Sequence, residues 1–257
     1  MMHRQPVRSC ELWLIDAAAS SAALEALERE VPRLSSDDRR RFAAVKDEKR
    51  RRVRRAAGIA LRVLIERHFG AAARGIRFHR SRGGKPALPA ALGRMSFSVA
   101  YAAHYALIGL AGKGAIGVDL EGERRLRLSA QRRQAIKAIG AGLGESGADD
   151  DTDAAVLRAW VRIEAFAKAC GTGVGRLLEE AGVRDGDIGA RGAERARKLA
   201  RAAGLSTHDI LPGHSLFAAV CAPRGARIGR LQAFPATRQA IAALGIAGGR
   251  RAGVRTS

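Results

Sequence analysis

Aromatic side chains are scarce in this chain: Phe, Trp and Tyr make up only 4% of its 257 residues. A core without them must be built from Ala, Val, Leu and Ile, and the 47% hydrophobic content is enough for one large domain or two small ones. Cysteine is sparse as well. Cys10, Cys170 and Cys221 are far apart, odd in number and form no C-x-x-C pair, which argues against a disulfide framework or a zinc site and for a reducing compartment. No apolar run approaches the ~18 residues of a spanning helix. The N-terminal MMHRQPVRSCELWLID lacks a continuous apolar stretch of the secretory kind, so the expected location is the cytoplasm. Acidic residues are outnumbered, 25 Asp and Glu against 46 Lys and Arg, for a net charge of +21. Such a surface attracts polyanions: nucleic acid, acidic proteins, phosphorylated ligands or anionic membrane. Charge by itself does not choose among them.

Glu11–Asp16 reads as a first strand, and SAALEALEREV has helical periodicity. LSSDDRRRF looks like a helix start with Ser36 as N-cap. A basic stretch, Lys46–Arg55, runs into the amphipathic AAGIALRVLIERHFG, which Gly70 can close. IRFHRS reads as a short strand and RGGKPALP as a loop. Phe97–Tyr101, His104–Leu110 and Ala115–Glu121 read as three strands with hairpin-like packing. A helix follows Arg124, GESGADDDTD reads as a loop, and AAVLRAWVRIEAFAKAC reads as a helix ended by Gly171. Further strands end in HSLFAAVCA, and its likeness to His104–Leu110 hints at two related halves. From Ala222 onward the chain holds seven Arg and no acid and is expected to lack order. The expected divisions are 1–112, 113–223 and an Arg-rich tail at 224–257.

The sharpest local feature is IGVDLEGE, Ile116–Glu123. Residues i and i+2 of a strand share a face, so Asp119 and Glu121 converge. Their repulsion raises one pKa unless a cation lies between them, and hard oxygen ligands in small number suit Mg²⁺. The alternative is a strand end whose acids face solvent and pair with Arg124 or Arg125. In the later helix Trp160, Glu164 and Lys168 are spaced i, i+4, i+8 along one face. Glu164 and Lys168 could be an exposed ion pair, or Glu164 a third carboxylate of a metal and general-base site.

GVDLE (Gly117–Glu121) followed after about forty residues by W-x-x-x-E-A-x-x-K (Trp160–Lys168) and a glycine-rich segment resembles the signature of the 4′-phosphopantetheinyl transferases. The closer likeness is to their larger, monomeric, surfactin-synthetase-activating type. GGKPALP (Gly83–Pro89) resembles that family's GKP loop, and RRF with the basic stretch and ALRVLIER resembles its N-terminal helix region. The resemblance covers roughly Glu11 to Pro223. It implies an α+β fold of two similar subdomains in pseudo-twofold arrangement, each a small, mostly antiparallel sheet with a long packed helix. The implied reaction moves the phosphopantetheine arm of coenzyme A onto a carrier-protein serine. The implied metal ligands for Mg²⁺ are Asp119, Glu121 and Glu164, with Glu164 as base and Lys168 on phosphate charge. Lys85 and Arg52 are implied phosphate contacts, and an acidic acyl or peptidyl carrier protein is the implied partner.

Two positions depart from the family pattern. Where it has a Ser-His pair that contacts the coenzyme A 3′-phosphate, this chain has Ala100 and Tyr101, and where a Lys precedes the helix glutamate it has Ile163. Tyr101 can donate a hydrogen bond or stack, but it carries no imidazolium charge. Arg162 is adjacent to Ile163 but about a quarter turn away. GTGVG (Gly171–Gly175) follows a helix and so reads as a helix end, not a dinucleotide loop. His104 and His214 sit in apolar strands with no visible nucleophile, and Cys170 reads as a small core residue. Two other classes stay open: a weakly catalytic relative that binds carrier protein or coenzyme A, and a basic nucleic-acid-binding protein. The second lacks a zinc finger, an RNP motif and aromatics within its basic runs. A membrane partner is not expected, and the long chain with two halves suggests a monomer.

Overall fold

The computed structural model describes residues 9–81, 84–144, 151–182, 190–213 and 215–247. The expectations for Gly83, His214 and most of GESGADDDTD lie outside the described residues. The fold is α+β. Strand β1 (Cys10–Asp16) leads into α1 (Ala17–Glu30), α2 (Ser36–Ala43) and α3 (Glu48–Phe69). Two short strands, β2 (His79–Arg80) and β3 (Pro86–Ala87), pair with each other, and β4 (Ser96–Ala102), β5 (Tyr105–Ala111) and β6 (Gly117–Gly122) follow. Next come α4 (Ala130–Leu143), α5 (Asp153–Cys170), α6 (Val174–Glu180), α7 (Ala190–Ala202), β7 (Leu205–Ile210), β8 (Leu216–Pro223), β9 (Ile228–Ala233) and α8 (Arg238–Ala247).

The strands form a sheet of order β4-β5-β1-β9 and a second of order β6-β8-β7. Only the β1–β9 pairing is parallel within them. Strand alternation sends Trp13 and Ile15 of β1 toward α1, α3 and α8, while Cys10 and Leu12 face the second sheet. On the inner face Leu107 meets Val118, Leu120 and Val220. The outer face of the second sheet packs Ala219 and Cys221 against Ile139 of α4 and Phe166 of α5. The layers therefore run helices, sheet, sheet, helices. Gly109 of β5 permits the close approach of the sheets, because a Cβ there would lie 2.6 Å from Val118 Cγ1.

Several expectations change, among them Cys170, which is exposed and not in the core. The cap of α2 is Ser35, one residue earlier than expected, because Asp38 at the third helical position completes a capping box with it. Strand β6 does not continue the β4–β5 hairpin but crosses to pair with β8. Helices α6 and α7 fill a stretch read only as leading to further strands. The tail expected to lack order supplies β9, which pairs with β1, and α8, whose Ile241 is fully buried against the first helix layer. Strands β5 and β8 each follow a left-handed residue, Ala103 (φ 50°) and Ser215 (φ 54°), and each lies inside its sheet. The strand orders around them differ, so the twofold relation of the halves stays an expectation. No helix among the described residues is long and apolar enough to cross a membrane.

Candidate active site

The site begins where α5 lies on β6. Gly117 makes that contact possible: a Cβ there would fall 1.9 Å from the carbonyl oxygen of Ala165 and 2.5 Å from the Ala169 nitrogen. Gly117, Asp119 and Glu121 share the β6 face turned to the helix, while Val118 and Leu120 join the inter-sheet core. On α5 the half-buried positions Trp160, Glu164 and Lys168 form the expected stripe, and Gly171 closes the helix in a left-handed cap. The two patterns meet at a salt bridge. Lys168 Nζ donates to Asp119 Oδ1 at 2.7 Å.

Asp119 is buried, and its second oxygen, Oδ2, is enclosed without a hydrogen-bond partner. Burial pushes its carboxyl up to about 7; Lys168 pulls it down, and the charges of Glu164 and Glu121 push it up again. Burial also raises Glu164, opposed by Lys168 and reinforced by Glu121. The three carboxylates therefore feel one another. Their donors do not converge: among the described residues no three His, Cys, Asp or Glu side chains gather as a ready ligand set. Glu121 instead accepts a hydrogen bond from Arg124 Nη1 at 2.6 Å. The free Asp119 oxygen is the atom of this group that fits a cation best, since a buried lone pair with no donor favours a positive charge beside it.

A cleft of about 340 Å³ opens beside Lys168 and is lined by Arg41, Arg54, Lys85, Phe97 and Tyr101 among others. A neighbouring cleft of about 400 Å³ shares Arg54 and Tyr101 and adds Arg50, Glu121 and Arg124. Tyr101 is 40% exposed, and its ring lies 5.6 Å from the Arg54 guanidinium. The wall formed by α2 is fixed from behind. Arg62 of α3 pairs with Asp38, donates to the Ile76 carbonyl at 2.7 Å and lies 3.7 Å over the Phe78 ring.

Several residues read from the sequence stand elsewhere or act differently. Arg52 is exposed, 3.7 Å from Glu48, and lines neither cleft. Residues two apart on a helix point about 200° apart, so the facing guanidinium is Arg54. Ala100 is buried in the inter-sheet core, because even-numbered β4 residues face the second sheet. Ser98 shares that face, and its hydroxyl accepts from the Val118 amide at 3.1 Å. Lys85 reaches the cleft, but its ammonium donates to the carbonyls of Ile116 (2.8 Å), Lys168 (2.7 Å) and Ala169 (3.3 Å), and burial lowers its pKa. It caps α5 and ties the segment between β2 and β3 to the residue that leads into β6. Arg162 forms a two-pronged bridge to Asp209 of β7 (2.6 and 2.5 Å), and Ile163 is in the core, so neither replaces the absent lysine. Arg41, within RRF, and Arg54, within the basic stretch, were not singled out; the helical phase set by buried Val53, Ala57 and Leu61 was the signal for Arg54. No family model and no curated protein matches the chain.

Proposed function

We propose that the protein transfers the 4′-phosphopantetheine arm of coenzyme A to a serine of an apo carrier protein, in an Mg²⁺-dependent reaction. The observation that carries this reading is the buried Asp119, with one oxygen unpartnered and the other on Lys168, which itself lines the arginine-bearing cleft. The serine oxygen forms a bond to the β-phosphorus of the donor. The bond from that phosphorus to the bridging oxygen breaks, and adenosine 3′,5′-bisphosphate leaves with the electron pair. The free Oδ2 of Asp119 would hold Mg²⁺, with Glu121 and Glu164 the further ligands that the resemblance implies, and the ion would supply Lewis-acid stabilisation of phosphate charge.

The chain's own groups do the rest. Glu164 takes the serine proton, and burial makes it a stronger base than an ordinary carboxylate. Lys168, Arg41 and Arg54 offer charge to the phosphates from the cleft wall. Lys85 contributes through its field, its protons being directed at carbonyls. The basic surface suits an acidic carrier protein. Among the described residues all three cysteines are free, in keeping with a cytoplasmic protein.

The test is intact-mass analysis of an apo acyl carrier protein incubated with the protein, Mg²⁺ and either coenzyme A or its dephospho form. A phosphopantetheine mass gain that disappears without metal and with Glu164→Ala supports the reading. The preferred donor reports whether Tyr101 and its arginines still recognise the 3′-phosphate. No gain on several carriers from folded protein rejects turnover and leaves binding without transfer.

A further inference from the structure

A separate cleft of about 820 Å³ lies at the C-terminal end of α3, between His68 and Phe69, the segment leading into β4, and the turn between β5 and β6. Its size is in the range of small-ligand sites, roughly 300–1,000 Å³. Hydrocarbon from Phe69, Leu88, Leu92 and Met95 makes up much of its wall, and no Asp or Glu lines it. Its charged groups are Arg94 and Lys113, with the titratable His68 beside them. His68 Nε2 lies 3.2 Å from Glu11 Oε1 without a formed hydrogen bond, so a carboxylate from β1 faces this ring.

Arg94 and Lys113 are exposed, and neither has an ion-pair partner among the described residues. The β4–β5 register pairs Ser96 with Ala111. The ladder ends at that pair, and Arg94 and Lys113 lie two residues beyond it on the wall of the same cleft. Like charges that share a cleft wall repel, and an anion between them offsets that repulsion. Two cations at the mouth of an apolar cleft thus present a head-and-tail pattern.

We infer that this cleft binds an amphipathic anion, its carboxylate or phosphate head held by Arg94 and Lys113 and its hydrocarbon tail against Leu88, Leu92, Met95 and Phe69. The inference does not rest on the transferase reading, because the cleft shares no lining residue with the two at Tyr101.

The experiment is calorimetric titration of the full chain with four eight-carbon probes: octanoate, octyl phosphate, 1-octanol and octylammonium. Octanoate or octyl phosphate should bind saturably, and whichever binds tighter identifies the head group. Octanol should bind about tenfold or more weakly, the difference made by charge-assisted hydrogen bonds. Arg94→Glu with Lys113→Glu should abolish anion binding and create binding of octylammonium. Ala90→Trp, which keeps both charges and narrows the cleft, should weaken both anions. Absence of saturable binding by either anion, equal binding of octanol, or anion binding untouched by both variants overturns the inference.

Discussion

Asp119→Asn isolates the cost of keeping a carboxylate inside the fold. An unfolded Asp titrates near 3.8, and burial carries Asp119 to about 7 despite the Lys168 ammonium. Between these values the native chain holds a proton that the unfolded chain has released. The native state then binds more protons, so stability falls as pH rises from about 4 to about 7 and is level above. At ~1.4 kcal/mol for each pH unit, the full cost is on the order of 4 kcal/mol. Asn at 119 removes the titration and keeps the shape. Its amide hydrogens at the Oδ2 position add an unsatisfied donor, at a cost of about 1–3 kcal/mol that does not depend on pH. Urea denaturation of both proteins from pH 4.5 to 8.5 separates the two effects. The wild-type stability minus that of the Asp119→Asn protein should decline by about 1.4 kcal/mol per pH unit up to about pH 7 and then hold constant. A difference that stays flat across the series refutes a proton-holding Asp119. Repeating pH 8 with saturating Mg²⁺ extends the reasoning: a cation on Oδ2 should stabilise the wild type far more than it stabilises Asp119→Asn, and equal stabilisation of both removes Asp119 from any metal site.

Three further outcomes follow from the same contacts. Gly117→Ala drives a methyl into the Ala165 carbonyl, so we expect a loss of about 3 kcal/mol or more by chemical denaturation; a loss below about 1 kcal/mol would mean that α5 can move away from β6 freely. Lys85→Met leaves three carbonyls without their ammonium donor, and we expect about 3 kcal/mol of destabilisation with lowered hydrogen-exchange protection at the end of α5; unchanged protection there would refute the capping role. Arg54→Ala should weaken coenzyme A binding about tenfold in calorimetry while Arg52→Ala stays within about twofold, and the reverse order would place the ligand on the other face of α3.

What could be read from the sequence was what depends on local period. The strand spacing of Asp119 and Glu121 and the helical spacing of Glu164 and Lys168 are fixed by backbone geometry, so their shared faces were legible before any fold was known. The caps at Gly70 and Gly171 were legible for the same reason. What escaped depends on partners distant in the chain. Nothing local tells that β9 returns to lie parallel to β1, because its Arg-rich neighbours carry the composition of an unstructured tail. Nothing local tells that Lys85 spends its donors on carbonyls of β6 and α5. Arg52 is an intermediate case: Arg54 lines the cleft and Arg52 does not, a difference of helical phase that the buried residues of α3 decide.

Gly117 and Asp119 show how close the legible and the hidden parts lie. GVD was read for its carboxylate, whereas the glycine two positions earlier sets that carboxylate's properties. With no side chain at 117, α5 seats directly on β6, and the same approach buries Asp119, brings Lys168 within 2.7 Å and shuts Oδ2 away from donors. Close packing and the raised pKa are therefore one physical event. A substitution that separates the helix from the strand should return Asp119 toward an ordinary carboxylate and weaken the proposed Mg²⁺ binding in the same step. Gly117→Ala thus tests the electrostatics of the site as well as its packing: if that protein folds and still shows the steep pH dependence of the wild type, burial by α5 is not the cause of the raised pKa.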